Sequence, residues 1–262
     1  YKRQVHALEL AAAGADILDI GGESTRPGAH SLSPTQEQER VLPVISGYLK
    51  ASRSPLPISL DTVNAETAAA GLAAGVQIIN DISGGTLDAR MLKVVAENNA
   101  YYICQHMRGN PKTMDSLCDY GGDVTGGVCR GLKERIQACE EAGVNLQRLI
   151  LDPGLGFAKS AEQSWELLGN LEQLAQLGYP LLIGASRKRF LEMAVPASWE
   201  DSLPAGVKAG ARRREDATTA VSALCAQAGV WAVRVHNVAA SASAVAAGQL
   251  WREAASVSYT HL

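Results

Sequence analysis

The most constraining feature of the sequence is a short apolar run that ends in a carboxylate and is followed at once by a loop rich in proline and glycine. The clearest example is 149–157, which reads Leu-Ile-Leu-Asp-Pro-Gly-Leu-Gly-Phe. The same arrangement recurs at Asp19, Asp61 and Asn80, each of which closes an apolar run. Apolar runs of this length are typical of parallel strands that are buried on both faces. The repeat therefore predicts several parallel strands whose polar ends share one pocket.

Helical patterns alternate with these runs, and a glycine such as Gly14, Gly75 or Gly143 closes most of them. Repeated strand and helix units predict an α/β fold with right-handed crossovers. We count about seven strands behind an initial helix, which predicts one more strand upstream, and eight such units close a TIM barrel. A glycine-rich dinucleotide fingerprint does not follow the first strand, which argues against an open nucleotide-binding sheet. The expected fold class is an α/β (β/α)8 TIM barrel whose first strand and loop are missing from this chain.

The composition suits one large domain. The chain has 262 residues, of which 47% are hydrophobic and 19% charged, with a net charge of −3. We expect a domain over 1–257 with an inserted loop at about 196–213, and a disordered tail or cloning remnant at 258–262. The charge favours neither a nucleic acid nor a membrane as partner. Five cysteines without a Cys-x-x-Cys pair indicate a reducing, cytoplasmic setting without disulfides or a zinc site.

The polar strand ends provide hydrogen-bond acceptors. Asp19, Asp61, Asn80, Asp81 and Asp152 all terminate apolar strands. Any one of them alone is about as well explained as a cap on the following helix. Together they suit a ligand rich in N–H donors, such as a fused amino-pyrimidinone ring, because a buried acceptor without a partner costs about 1–3 kcal/mol.

Cationic groups stand opposite these acceptors. Arg234 and His236 end the last strand two residues apart, so both side chains face the same way. Arg26 lies beside Thr25 in a glycine-rich loop, which suits a phosphate or diphosphate, with a surface salt bridge as the alternative for Arg26. Lys188 could bridge the ring and a second substrate. Phe157 could lie against a planar ligand, or equally belong to the core.

With these residues in hand, the chain resembles the dihydropteroate synthases. The matching segments follow the order of that family and cover nearly the whole chain: 21–28, 59–62, 79–85, 106–114, 151–157, 184–188 and 233–236. Each segment alone would be weak, whereas the series is highly specific.

The resemblance implies a transferase that condenses 6-hydroxymethyl-7,8-dihydropterin diphosphate with para-aminobenzoate to give 7,8-dihydropteroate and diphosphate, with Mg²⁺ assisting. It implies a pterin site made of Asp61, Asn80, Met107, Asp152, Gly184 and Lys188. The diphosphate would be held by Thr25, Arg234 and His236, and the aminobenzoate bordered by Arg26, Pro27, Phe157, Ser186 and Lys188. The resemblance further implies five residues that take part in catalysis: Asp61, Asp152, Lys188, Arg234 and His236.

The resemblance also implies a homodimer formed through the last helices. It assigns no metal ligand within this chain, because the asparagine ligand of the family belongs to the missing first strand. Asn237 stands where many members have aspartate. Three readings are open: a synthase, a non-catalytic pterin-binding fragment or part of a multifunctional folate-biosynthesis polypeptide, and a barrel like the methyltetrahydrofolate-corrinoid methyltransferases. The Ser-Arg-Lys and Arg-Val-His motifs weigh against the third.

Overall fold

We describe a computed structural model of the chain over residues 2–23, 32–110, 112–195 and 209–257. The predicted site residues Thr25, Arg26 and Pro27 lie outside these ranges, as do most of the expected insertion and the expected tail.

Seven short strands alternate with helices within the described part of the chain. The strands are β1 (Leu18–Gly21), β2 (Ile58–Asp61), β3 (Ile78–Asp81), β4 (Tyr101–Gln105), β5 (Leu149–Asp152), β6 (Leu182–Ile183) and β7 (Ala232–Val233). The helices are α1 (Lys2–Ala12), α2 (Pro34–Ala51), α3 (Ala65–Ala73), α4 (Met91–Glu97), α5 (Val124–Glu141), α6 (Ala161–Gly169), α7 (Leu171–Ala175), α8 (Ala209–Gln227) and α9 (Val238–Val257). Single 3₁₀ turns occur at Met114–Ser116, Leu146–Arg148 and Arg189–Ala194.

All the strand pairs are parallel and follow chain order. Strands β1 to β5 form one sheet in the order β1-β2-β3-β4-β5, and β6 pairs with β7. A parallel bridge between Leu151 and Leu181 joins the two groups. Sequential parallel strands with helices outside are the architecture of a TIM barrel, as the sequence predicted.

Alternate residues of the strands face opposite sides. Ile78, Ile103, Ile150 and Leu182 form a small apolar cluster inside the barrel, with Ile17 and Ala232 packed against it. The intervening residues, such as Leu60, Ile79 and Tyr102, belong to the larger core between strands and helices. Because side chains alternate along a strand, the polar residues two positions beyond the inner cluster must face the mouth of the barrel.

Helix boundaries follow local capping chemistry. The Ser33-Pro34 pair predicts an N-cap followed by the first residue of a helix, and Ser33 does cap α2 through a capping box with Gln36. The apolar pattern predicts that the next long helix starts at Val128, but the Asp123 carboxylate accepts from the Gly126 N–H at 2.8 Å and α5 begins one turn earlier.

Two further boundaries differ from those predicted. The helix predicted over 161–177 is interrupted at Asn170, where one helix ends and the next begins. Helix α8 begins at Ala209, so residues 209–213 are helical rather than part of an inserted loop. Across the described residues, no helix combines the length and apolar character that a membrane span requires.

Candidate active site

The polar ends of the strands converge at the carboxyl-terminal mouth of the barrel. The residues that alternation directs inward there are Asp19, Asp61, Asn80, Gln105, Asp152, Gly184 and Arg234. In a TIM barrel this face carries the active site, because the βα loops surround it. Four of the six residues predicted to form the pterin site belong to this set, and the other two, Met107 and Lys188, lie outside the strands.

Asp152 is the clearest candidate for a ligand-binding group at the mouth. Its side chain is buried, and Oδ1 accepts a hydrogen bond from the Gly154 N–H at 2.7 Å. The second oxygen, Oδ2, is buried without any partner among the described residues. A buried carboxylate oxygen that lacks a donor is expensive to maintain, which points to a ligand N–H as its partner.

The loop after Asp152 holds an aromatic ring beside a lysine. The Phe157 side chain is buried, and Lys188 Nζ lies 4.6 Å from the centre of its ring. Lys188 Nζ also donates to the Leu155 carbonyl oxygen, which ties the two loops together. Burial lowers the pKa of Lys188 to about 7, opposed by the nearby Asp152 carboxylate and assisted by Arg234. Lys188 is therefore a cation whose charge can change near neutral pH.

A strained turn aims Lys188 at the mouth. The preceding Arg187 has φ +59°, in the left-handed region that side chains rarely occupy. Its N–H donates to Thr218 Oγ1 at 3.1 Å and its guanidinium pairs with Glu215, which holds the turn against α8. The Lys188 N–H then closes the turn onto the Ala185 carbonyl oxygen at 3.1 Å.

Arg234 spans the mouth from β7 towards β1. Its Nη1 lies 3.4 Å from Asp19 Oδ2 and 3.8 Å from Asp61 Oδ2, and its Nε has no partner among the described residues. Gly184 makes room for the guanidinium, because a Cβ atom at this position would lie 3.1 Å from Arg234 Nη2. Although burial opposes it, the three surrounding carboxylates raise the pKa of Arg234.

The pKa of the Asp61 carboxyl group is raised close to neutral pH. Burial and the neighbouring Asp19 raise the pKa of Asp61 to about 7, while Arg234 lowers it in part. Asn80 is buried at the adjacent strand end, and its Nδ2 donates to the Asp19 carboxylate at 3.3 Å. The Asn80 amide oxygen and the Asp61 carboxyl group therefore provide two hydrogen-bond acceptors on one side of the mouth.

Ser186 and His236 form a hydrogen-bonded pair. Ser186 Oγ and His236 Nδ1 are 2.8 Å apart, and the His236 N–H donates to the same oxygen at 3.2 Å. Ser186 is buried whereas His236 is exposed at the rim. The structure thus brings together the predicted diphosphate group His236 and the predicted aminobenzoate group Ser186.

Asp81, at the end of β3, faces away from the mouth. The Asp81 carboxylate accepts from the Ser83 N–H at 2.8 Å, the Gly85 N–H at 2.8 Å and the Tyr102 hydroxyl at 2.9 Å. With these partners, Asp81 braces a turn and is not one of the mouth acceptors that the sequence suggested.

Met107 lies in the loop beyond β4. It packs against the buried cluster of Ile82, Met114, Phe157 and Ala158, which includes the predicted aminobenzoate residue Phe157. Its place in the pterin site stays a prediction.

Sequence reasoning missed Gln105 and Lys159. Gln105 is completely buried at the mouth, and neither its amide oxygen nor its amide nitrogen has a partner among the described residues. Strand alternation from Ile103 could have found it. Lys159 is also buried, and its contacts join the loops after β4 and β5.

The described residues contain no group of three or more histidine, cysteine or carboxylate side chains arranged to hold a metal ion. Two carboxylates at the mouth, Asp19 and Asp61, share Arg234 as a counterion. All five cysteines are free thiols.

Comparison with known proteins agrees with this site. The family model for pterin binding enzymes matches residues 3–236. The dihydropteroate synthase of Synechocystis is 40% identical over 247 residues, covering 94% of this chain and 81% of the relative.

Solved structures are also similar to this chain over most of its length. The Xanthomonas albilineans dihydropteroate synthase with 4-aminobenzoic acid superposes with a TM-score of 0.81 at 37% identity, covering 96% of this chain and 83% of that one. The same enzyme in complex with 7,8-dihydropteroate gives a TM-score of 0.78 at 35% identity, covering 96% of this chain and 86% of that one. From its fold, its strand-end acceptors and these relatives, the chain belongs to the dihydropteroate synthase family of pterin-binding enzymes.

Proposed function

We propose that the protein is a transferase of folate biosynthesis that joins 6-hydroxymethyl-7,8-dihydropterin diphosphate to para-aminobenzoate. The observation that carries this proposal is the unpartnered Asp152 Oδ2 at a mouth that also holds Arg234. The Asp152 carboxylate suits a ring N–H donor, and the Arg234 guanidinium suits phosphate oxygens. A substrate that carries a ring N–H and a phosphate would therefore satisfy both residues.

The pterin ring would lie across the inward strand ends. Asp152 would accept from the ring N–H groups, while Asp61 and Asn80 would contact the opposite edge. Lys188 would donate to a ring acceptor, and Gly184, whose missing side chain lets the Arg234 guanidinium approach, would border the ring. Burial of these groups supports tight binding, because hydrogen bonds to charged partners in a dry site contribute about 1.5–3 kcal/mol each.

The diphosphate would lie beside Arg234 and His236, with Thr25 contributing from the loop after β1. When the C–O bond breaks, its electron pair leaves with the diphosphate and a pterin cation remains. Cationic groups that are already in place stabilise such a leaving group without reorganisation. The amine nitrogen of para-aminobenzoate then forms the new C–N bond and gives up a proton. No protein nucleophile is required by this sequence of events.

The aminobenzoate would lie over the Phe157 ring, between Lys188 and Ser186, with Arg26 and Pro27 bordering it. The Lys188 ammonium 4.6 Å above the aromatic face supports a place for a planar anion there, since a cation and a ring are both available.

Mg²⁺ fits this site as a companion of the diphosphate. Magnesium in phosphate-transferring sites is usually held by one or two carboxylates together with substrate phosphates. Asp19 is the carboxylate at the mouth that could hold it in this way, once the diphosphate binds Arg234 in place of Asp19. When bound, Mg²⁺ would neutralise charge on the departing diphosphate.

A homodimer in the cytoplasm completes the proposal. Leu224 on α8 is 61% exposed, and Leu250 and Trp251 on α9 are 66% and 72% exposed. These two helices pack together, so a second copy could cover their shared apolar surface. The five free thiols support a reducing compartment.

The decisive experiment measures formation of dihydropteroate from the pterin diphosphate and para-aminobenzoate. The chain is assayed alone and after extension at its N-terminus with the corresponding segment of the Synechocystis relative, of which it covers 81%. Turnover by either form supports the synthase. Binding of hydroxymethylpterin by both forms without turnover would favour a non-catalytic pterin binder instead, and methyl transfer from methyltetrahydrofolate to a corrinoid would favour the methyltransferase reading.

A further inference from the structure

The proposed reaction leaves one buried lysine without a task. Lys159 follows the loop after β5 and is only 7% exposed. Its Nζ donates to the Phe157 carbonyl oxygen at 2.8 Å and to the Gly154 carbonyl oxygen at 3.0 Å, and it lies 3.1 Å from His106 Nδ1. An ammonium group has three N–H donors. Three neutral acceptors therefore satisfy all of them.

His106 takes the accepting role in this contact when Lys159 is an ammonium group, because an ammonium can only donate. Burial, together with the charges of Lys159 and Arg108, lowers the pKa of His106 to about 2. The imidazole is therefore neutral, so one ring nitrogen carries a proton and the other accepts. With Lys159 donating to Nδ1, the proton of His106 lies on Nε2. The lysine thereby fixes the tautomer of a residue in the loop after β4.

The loop that Lys159 holds has an unusual backbone. Gly154 has φ +68°, Gly156 has φ +71°, and Ala158 has φ +51° although it carries a side chain. A left-handed conformation is unfavourable for a residue with a side chain. Such a loop keeps its shape only when surrounding contacts determine it.

Gly154 links the lysine directly to the ligand-binding carboxylate. Its carbonyl oxygen accepts from Lys159, while its N–H donates to Asp152 Oδ1 at 2.7 Å. That second bond occupies one oxygen of Asp152, and the other oxygen is buried without a partner among the described residues. The Phe157 carbonyl oxygen, held by the same ammonium, fixes the residue whose ring lies under Lys188.

We propose that Lys159, braced by His106, is a positioning residue for substrate binding: it holds the 153–158 loop so that Asp152 presents one free oxygen to the pterin ring and Phe157 presents its face to the second substrate. This inference rests on the proposed function and names a residue that touches neither substrate. It explains why a charged side chain lies beneath a loop where an apolar one would fill the space at a lower desolvation cost.

The test compares Lys159→Met and Lys159→Arg with Lys133→Met, which removes an exposed lysine from α5. Binding of 6-hydroxymethylpterin is measured by calorimetry on folded protein. Because misplacing a binding group by about 1 Å can cost roughly 100-fold, we expect Lys159→Met to weaken binding by about 10- to 100-fold, with Lys133→Met unchanged. Hydrogen exchange should be faster at the amides of 154–157 and unaltered in β2 and β3.

A second readout separates positioning from a general loss of stability. Nitrogen NMR of the imidazoles should show His106 protonated at Nε2 in the unaltered protein, with a changed Nδ1 signal in Lys159→Met. Arginine should restore part of the pterin affinity, since it retains the charge and several donors. If the unaltered protein binds no pterin, the proposed function fails. If it binds pterin and Lys159→Met binds equally well, the positioning role alone is refuted.

Discussion

Replacing Asp152 by asparagine changes one atom at the mouth of the barrel and leaves the shape of the side chain intact. Oδ1 can still accept from the Gly154 N–H, which is 2.7 Å away, so the loop should keep its position. What changes is the buried second atom, which has no partner among the described residues. In the variant, an NH₂ group would face the ring N–H groups that the carboxylate oxygen is expected to accept.

Two costs add in the Asp152→Asn variant. A hydrogen bond to a charged acceptor contributes about 1.5–3 kcal/mol, and a buried donor left facing another donor costs about 1–3 kcal/mol more. The sum is about 2.5–6 kcal/mol, which corresponds to roughly 10²- to 10⁴-fold weaker pterin binding. Titration calorimetry with 6-hydroxymethylpterin measures this directly.

Asp16→Asn, which removes an exposed carboxylate ahead of β1, is the matched control and should bind as the unaltered protein does. A Kd for Asp152→Asn within about twofold of the unaltered value would refute the assignment of Oδ2 to the pterin ring, since even the lower sum exceeds 1.4 kcal/mol.

Three further perturbations test separate parts of the site. Arg234→Ala should weaken binding of the diphosphate substrate about 10- to 100-fold more than binding of free hydroxymethylpterin, because only the diphosphate loses a charge-assisted hydrogen bond. Equal losses of affinity in calorimetry would contradict a diphosphate role. Burial lowers the pKa of Lys188 from 10.5 to about 7, so across that interval the unfolded chain holds a proton that the folded chain has released. The free energy of unfolding should therefore rise with pH over this interval, and Lys188→Met should make the rise shallower in urea titrations at about pH 7 and about pH 9.5; an unchanged slope would show that Lys188 keeps its proton. Asp81→Ala should reduce the free energy of unfolding by about 2–4 kcal/mol, because it orphans buried donors, while the folded fraction binds pterin normally; lost affinity in fully folded protein would place Asp81 at the mouth after all.

Local sequence patterns predicted where the strands and helices lie, but not where each of them begins and ends. Strand β4 occupies the predicted residues 101–105, because a run of β-branched and aromatic residues bounded by polar ones specifies a strand. Helix ends were less certain, since side chains such as Asp123 and Asn170 decide them by single hydrogen bonds or a local break.

The acceptors at the mouth show where sequence reasoning reached its limit. Asp61, Asn80 and Asp81 all end apolar runs, and the runs alone did not say which of them face inward. Strand parity settles this once the register is known: Asn80 follows Ile78 on the inner face, whereas Asp81 follows Ile79 on the helix side. The same parity brings Gln105 to the mouth beside Asp152, its partner in the ladder.

Patterns of neighbouring residues were enough to predict the parallel α/β architecture, the family and the kinds of chemical groups at the strand ends. Which of these groups meet depends on how the chain is arranged in space. Arg234 reaches Asp19 across 215 positions of chain, and Lys159 reaches His106 across 53. Contacts of this kind arise from barrel curvature and from loop backbone, which no local pattern encodes. A buried charged side chain interacts with whichever groups lie near it in the folded barrel. Those groups come from distant parts of the chain, so the order of residues alone does not reveal them.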